Sequence, residues 1–145
     1  MKKKFTFVVL MILTLYFSAA NYAQKGKFFS ENRTNTIATL LAGLESENTG
    51  LKSGSAYMLG ELKVTSAVVP LMRVLHNDEN TEVRIAAALA LYKIGTPLSI
   101  TAVKKASRFD ESLRVKKLTQ NFYADYLRNQ KEEKSRTTNY FAQSE

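Results

Sequence analysis

An all-α fold of stacked antiparallel helical hairpins is predicted by three features of this 145-residue sequence. A helical signature begins at Leu51, is clearest 32 residues later at Val83, and returns in weakened form 30 residues further on at Leu113. A fixed period of this size is typical of stacked helical repeats. Within the segments apolar residues follow the period of a helix, and glycine, proline and asparagine separate them. We therefore predict a short α-solenoid of about six helices in about three antiparallel hairpins.

The first three helices are indicated by their apolar stripes. Over residues 31–46 the apolar side chains fall at the i, i+3, i+4 and i+7 positions of an amphipathic helix. A second helix is predicted from about residue 49 or 51 to residue 62. Thr65 or Ser66 is expected to cap the third helix, because a hydroxyl there can accept a hydrogen bond from a free N–H group of the first turn.

The second half of the chain has the clearest boundaries between helices. A fourth helix is predicted over residues 81–94. Residues 95–97, Gly-Thr-Pro, supply in order a left-handed stop, an N-cap and the first position of a fifth helix, which is expected to reach about Ser107. Asp110 is expected to cap the sixth helix, which would end near Arg128.

Residues 1–23 have the layout of a secretory signal peptide. Lysines at positions 2–4 precede an apolar run over residues 5–17, and small residues follow, so that cleavage is expected after Ala20 or Ala23. This apolar run is short for a membrane span, although an uncleaved N-terminal anchor is the alternative. The lysine-led form is typical of bacteria, and we expect export to the periplasm or the medium.

The remaining chain is expected to comprise a lead-in over residues 24–30, the repeat domain over residues 31–128 and a polar tail over residues 129–145. The tail is expected to be frayed helix followed by disorder. Loss of the three signal-peptide lysines would lower the formal net charge from +8 to +5. Most of the remaining excess lies in residues 101–145, which hold ten basic and six acidic residues.

The chain has no cysteine, which excludes disulfides, thiol catalysis, cysteine-held metals and lipid attachment at the cleavage site. His76 is the only histidine, it lies at a helix end where we expect it to be solvated, and the only carboxylates at metal-ligand spacing from it are Asp78 and Glu79 of the following loop. Adjacent carboxylates at residues 78–79, 110–111 and 132–133 are explained by helix capping and solubility. We predict no catalytic residue, no cofactor and no metal site.

The stretch from Asp78 to Gly95 carries the pattern D-x4-V-R-x2-A-A-x-A-L-x2-I-G. This pattern resembles the HEAT repeat, in the short variant also called the phycobilisome-lyase HEAT-like repeat. Residues 56–71 resemble the same unit, and the resemblance extends from about Thr36 to Leu127. It implies a right-handed solenoid in which the second helices of successive hairpins line a concave face.

In this family an aspartate and an arginine of the motif tie adjacent repeats together. The resemblance places these roles on Asp78 and Arg84, with Asp110 and Arg114 as a shortened equivalent. We interpret both pairs as structural ties rather than as chemistry.

A non-enzymatic protein-interaction module or scaffold is therefore the predicted function, with an unidentified protein partner. The candidate partner contacts lie on the third and fifth helices: Arg73, Lys104, Lys105 and Arg108. One alternative is a binder of anionic polymers or lipid surfaces through the basic C-terminal third, with peripheral membrane contact only. Another is an enzyme or enzyme accessory, by analogy with the lyases that share the repeat. Nucleic acid is not an expected partner, because the chain is predicted to be exported and has no groove-reading motif.

Overall fold

The computed structural model describes residues 33–142. The chain divides into two units, Met1–Ala38 and Thr39–Glu145, and the account below concerns the second. Residues 33–43 are helical and are called α1. The predicted signal peptide and the lead-in lie outside the described residues.

Five longer helices and one short 3-10 turn follow α1, and the described part of the chain holds no β-strand. The helices are α2 (Thr49–Glu61), α3 (Val68–Asn77), α4 (Thr81–Ile94), α5 (Pro97–Phe109) and α6 (Leu113–Ala142), and the 3-10 turn is Thr65–Ala67. The prediction of an all-α fold is confirmed.

The helices pack in two layers. α2, α4 and α6 lie side by side in one layer, and α3 and α5 lie side by side in the other. α4 is central, because it contacts α2, α3, α5 and α6. Short connections make consecutive helices antiparallel. The arrangement is solenoid-like: α2 and α3, then α4 and α5, are successive helix pairs along the chain, and α6 begins a third pair with no second helix among the described residues.

Close packing between α2 and α4 depends on small residues. Ala56 on α2 and Ala87, Ala88 and Ala90 on α4 are fully buried. A Cβ atom at Gly60 would lie 2.6 Å from the Cα atom of Ala90, so the two backbones come closer than a larger residue would permit. Larger side chains fill the space around them, including the fully buried Leu59, Leu71, Val83, Leu91, Val103 and Val115.

The helix boundaries follow capping chemistry. The side chain of Asn80 accepts hydrogen bonds from the first-turn N–H groups of α4, which spans residues 81–94 as predicted. Gly95 has a left-handed φ of 70°, Thr96 accepts a hydrogen bond from Ser99, and Pro97 opens α5. The predicted stop, cap and proline start are therefore confirmed, although α5 extends to Phe109 rather than Ser107.

Two predicted caps are wrong. Thr65 and Ser66 lie in the 3-10 turn, and α3 begins after it without a side-chain cap. Asp110 does not cap α6. Instead, Ser112 Oγ accepts from the N–H of Val115, and Asp110 accepts from the N–H of Ser112 at 2.8 Å. Asp110 thus orders the connection that precedes α6, and Ser112 caps the helix itself.

The predicted end of the sixth helix near Arg128 is also wrong, because α6 continues to Ala142. The extension is polar, and the side chains of residues 128–138 are exposed. Lysine, glutamate, glutamine and arginine favour helix intrinsically, so this segment remains helical without burying an apolar face. The hydroxyl groups of Ser135, Thr137 and Thr138 donate to the carbonyl oxygen four residues earlier.

A candidate partner-binding groove

A groove of 720 Å³ lies between α3 and α5 and extends to the C-terminal ends of both helices. We call it the α3–α5 groove. Its apolar lining comes from Val69 and Met72 on α3 and from Ala102, Ala106 and Phe109 on α5. Val69 is 60% exposed and Phe109 is 72% exposed. Two large apolar side chains therefore face solvent at one surface depression.

These side chains are exposed because they lie off the buried stripe of each helix. On α3 the buried positions are Val68, Leu71, Val74 and Leu75, and Val69 and His76 lie on the other side of the same helix. On α5 the buried positions are Ser99, Ile100, Val103 and Ser107, and Lys105 and Phe109 point away from them.

The charge along the α3–α5 groove is uneven. Arg73, His76 and Lys105 line its length, and Glu79 and Glu111 line the end where α3 and α5 terminate. Arg84 also lines that end, where α4 and α6 begin next to the C-terminal ends of α3 and α5, so the helix dipoles there oppose one another. The groove is therefore an apolar channel with basic groups along its sides and charges of both signs at one end.

The four predicted partner contacts do not share one site. Arg73 and Lys105 line the α3–α5 groove, whereas Lys104 and Arg108 do not. The Nζ atom of Lys104 lies 5.5 Å from the ring centroid of Tyr123 on α6, on a different side of α5. Arg73 also forms an exposed ion pair with Glu45 at 3.1 Å. The groove thus gathers two of the four predicted residues.

Sequence reasoning missed the apolar half of this site. It considered His76 only as a solvated helix end or a possible metal ligand, and did not single out Val69 or Phe109. A signal was present, since both apolar residues fall outside the i, i+3, i+4 stripe that predicts the buried face. A single exposed apolar residue is common, however, and only the packing of α3 beside α5 brings the two together.

Among the residues that the structure describes, the most buried ion pair joins α4 to the connection that leads into α6. Arg84 donates from Nε to Asp110 Oδ2 at 3.2 Å and from Nη2 to Asp110 Oδ1 at 3.0 Å. It also donates to the backbone carbonyl oxygens of Asp78 and Glu79. The two side chains are 11% and 7% exposed, so this is a largely buried bidentate pair.

The preceding hairpin repeats the same geometry with a lysine. Lys52 Nζ lies 2.6 Å from Asp78 Oδ2, and both this pair and Arg84–Asp110 span 26 residues. The hydrogen bond to Asp78 raises the pKa of Lys52. Arg114 does not join this series, because it forms an exposed pair with Glu82 on α4. Lys52 was missed, although it stands 32 residues before Arg84 in the repeat.

A second set of polar contacts links α2, α4 and α6 near the C-terminal ends of α2 and α4. Lys93 on α4 bonds to Glu61 on α2 and lies 4.7 Å from the ring centroid of Tyr57. The hydrogen bonds from Lys93 and then from Tyr57 lower the pKa of Glu61. Tyr92 donates to Asp125 on α6, which raises the pKa of Tyr92 and lowers that of Asp125. These contacts are structural links between neighbouring helices.

Over residues 33–142 no cluster of three or more histidine, cysteine, aspartate or glutamate side chains has the geometry to hold a metal ion. Among the described helices none has both the length and the apolar character of a membrane span.

Comparison with known proteins assigns the fold to a family. No curated protein matches the chain. A family model described as HEAT repeats matches residues 37–121, which is more than half of the sequence. The matched range includes α2 through α5, both buried inter-hairpin ion pairs and the start of α6. The chain therefore belongs to the HEAT-repeat family.

Proposed function

We propose that this protein is a non-enzymatic interaction module that holds a segment of a partner protein in the α3–α5 groove. HEAT repeats are generally protein-interaction scaffolds and are typically non-enzymatic. The observation that carries the proposal is the exposure of Val69 and Phe109 beside the apolar floor made by Met72, Ala102 and Ala106. Apolar residues clustered in a concave surface are typical of binding sites.

Two basic side chains along the groove support a bound partner segment that carries a carboxylate beside its apolar residues. Lys105 and Arg73 lie along the groove and offer charged partners for carboxylates. The existing contact of Arg73 with Glu45 is exposed at both ends, at 59% and 65%, so a ligand carboxylate can replace it at small cost.

Affinity capture with matched variants tests the groove. The double variant Val69→Ser with Phe109→Ser removes both exposed apolar groups, and Leu127→Ser changes an exposed leucine on α6 as the control. We expect the wild type and the control to capture the same partner, and the groove variant to retain about one tenth of it or less, because central apolar anchors dominate binding. Equal capture by all three proteins would refute the site.

A second comparison separates the groove from the basic surface beside it. We expect the charge reversals Arg73→Glu and Lys105→Glu together to weaken capture, and Lys104→Glu with Arg108→Glu to leave it near the wild-type level. A non-specific anionic ligand would instead be favoured if added salt weakened binding steeply and the two double variants weakened it equally.

We further propose that the protein works outside the cytoplasm of a bacterium, in the periplasm or the medium. The support is the lysine-led apolar segment of residues 2–17 and the small residues that follow it. Mass spectrometry of the protein recovered from its native cells is expected to give a mature N-terminus at Asn21 or Gln24. Recovery of the uncleaved chain from the cytoplasm would contradict this proposal.

A further inference from the structure

The α3 wall of the α3–α5 groove is a single helical stripe. Four of its lining residues fall at the i, i+3, i+4 and i+7 positions: Val69, Met72, Arg73 and His76. Because a helix rises about 1.5 Å per residue, this stripe covers about two turns, or roughly 10 Å. Apolar and basic side chains therefore share one wall over two turns.

The α5 wall has the same spacing. Its lining residues at i, i+3, i+4 and i+7 are Ala102, Lys105, Ala106 and Phe109. The two alanines are half-buried, and their small side chains leave room for another chain to approach α5 closely. Since α3 and α5 are both antiparallel to α4, they run parallel to each other. The groove therefore lies between two parallel helices whose facing stripes match in period.

The lining of the groove suits a ligand whose backbone is already hydrogen-bonded. Asn77, at one end, is the only amide side chain among the residues that line it. Along its length Arg73 and Lys105 are cationic, so they cannot accept from the N–H groups of a bound chain. An extended segment would leave backbone groups without partners against an apolar floor, which is costly. A helix satisfies those groups internally.

We propose that the α3–α5 groove binds one amphipathic α-helix of the partner protein, antiparallel to α3 and α5, an inference that rests on the proposed function. A helix laid in a groove between two others places apolar side chains at i, i+3 or i+4, and i+7 along its floor. That period matches the stripes of both walls, so one anchor lies near Val69 and Ala102, one near Met72 and Ala106, and one near Phe109.

The basic side chains define where the bound helix carries its acidic residues. Arg73 and Lys105 lie on opposite walls at the middle of the groove, beside Met72 and Ala106. A residue next to the middle anchor points sideways from it, because successive helical residues are about 100° apart. An aspartate or glutamate at such a position therefore faces Arg73 or Lys105. Lys105 has no ion pair among the described residues, so it is available to such a carboxylate.

The orientation of the bound helix follows from the end of the groove where α3 and α5 terminate. Arg84 lines that end, but its charge is matched by the buried pair with Asp110. Glu79 and Glu111 line the same end, are exposed, and form no ion pair within the described part of the chain. The N-terminus of a helix carries free N–H groups and partial positive charge, which these two carboxylates stabilise. An antiparallel helix places its N-terminus there.

Peptide display on the full chain tests the shape of the ligand. Random peptides of about 16 residues, or roughly 24 Å as a helix, are selected on the wild type and on the double variant Val69→Ser with Phe109→Ser. We expect the peptides enriched only on the wild type to have apolar residues at helical spacing and an acidic residue beside the middle one. Strict alternation of apolar residues would overturn the helix and leave the groove standing. No enrichment specific to the wild type would overturn both proposals.

A proline substitution in the selected peptide tests helicity independently. At a solvent-facing position in the middle of the peptide, proline is expected to weaken binding about 100-fold or more, and alanine at the same position is expected to leave it unchanged. Fluorescence anisotropy measures both affinities. Equal affinity of the proline and alanine peptides would exclude a bound helix.

Disulfide formation tests the orientation, because the full chain has no cysteine of its own. Asn77→Cys places a thiol at the end of the groove near Glu79, and Leu98→Cys places one at the start of α5, one turn before Ala102. We expect a peptide with an N-terminal cysteine to couple to Asn77→Cys and a peptide with a C-terminal cysteine to couple to Leu98→Cys. The opposite preference, or none, would overturn the antiparallel orientation.

Removing the two carboxylates tests the reason given for that orientation. For a peptide with an acetylated N-terminus, the double variant Glu79→Gln with Glu111→Gln is expected to weaken binding about 2- to 5-fold. Glu47→Gln, at an exposed glutamate before α2, is the control and is expected to leave the affinity unchanged. Unchanged or tighter binding by the double variant would contradict the role of Glu79 and Glu111.

Discussion

The ion pair between Arg84 and Asp110 is expected to be worth much more than any exposed pair of this protein. The perturbation that isolates it is a double-mutant cycle of Arg84→Met and Asp110→Asn. An asparagine retains an oxygen that can accept from the N–H of Ser112, so the connection before α6 keeps its local hydrogen bond. The cycle therefore measures the interaction between the two side chains with little disturbance of the backbone.

The expected magnitude follows from burial and from the bonds that remain. Breaking a buried pair by removing one partner costs about 3–5 kcal/mol. Arg84 keeps its bonds to the carbonyl oxygens of Asp78 and Glu79, at 2.8 and 3.2 Å, and the pair is 11% and 7% exposed. We therefore expect Asp110→Asn to destabilise the fold by about 2–3 kcal/mol and the coupling energy to be about 2 kcal/mol.

Urea unfolding followed by circular dichroism measures each free energy. The matched control is the cycle of Arg73 with Glu45, an ion pair whose side chains are 59% and 65% exposed. Its coupling energy is expected to be about 0–0.5 kcal/mol. If the Arg84–Asp110 coupling were no larger than that of the control, burial would not be what makes the inter-hairpin pair strong, and the reasoning would be refuted.

Further predictions concern four single substitutions. Gly60→Ala is expected to destabilise the fold by about 1–3 kcal/mol, because the added Cβ atom would lie 2.6 Å from the α4 backbone. Gly54→Ala is expected to stabilise the fold by up to about 1 kcal/mol, because its Cβ atom would meet open space and alanine favours helix. Thermal unfolding measures both changes. Lys63→Gly is expected to add about 0.5–1 kcal/mol to the urea unfolding free energy, since Lys63 has a φ of 49° that favours glycine. Tyr92→Phe should destabilise the protein more at pH 7 than at pH 3: the hydrogen bond from Tyr92 lowers the folded pKa of Asp125, so its stabilisation is full above the ordinary aspartate pKa and is lost as the pH falls through the lowered folded value. An effect of Tyr92→Phe that is equal at both pH values would contradict this assignment.

The predictability of this fold varied between its helices. The start and end of α4 and the Gly-Thr-Pro run over residues 95–97 were predicted because capping and left-handed glycine geometry depend only on adjacent residues. The end of α6 was misplaced because apolar periodicity stops near Arg128 while helix propensity continues. The cap at Ser112 was missed because the nearby Asp110, two residues earlier, has equally suitable chemistry.

The candidate site was less predictable than the helices, as three of its residues show. Arg73 and Lys105 were singled out for their charge and do line the α3–α5 groove. Phe109 was not singled out, because an apolar residue near a helix end has no local signal that distinguishes an exposed position from a buried one. Its exposure depends on how far α3 lies from α5, which is a property of the packing.

By itself the sequence determined that this chain forms antiparallel helices with a HEAT-like repeat, since helix propensity, caps and apolar period act over a few residues. Only the tertiary structure decided which groups meet across the repeats. The sequence grouped Asp78 with Arg84 as ties between repeats. In the structure Asp78 pairs with Lys52 and Arg84 pairs with Asp110, and each pair joins residues 26 positions apart. Such partners are chosen by the distance and rotation between stacked hairpins, and no local pattern encodes those quantities.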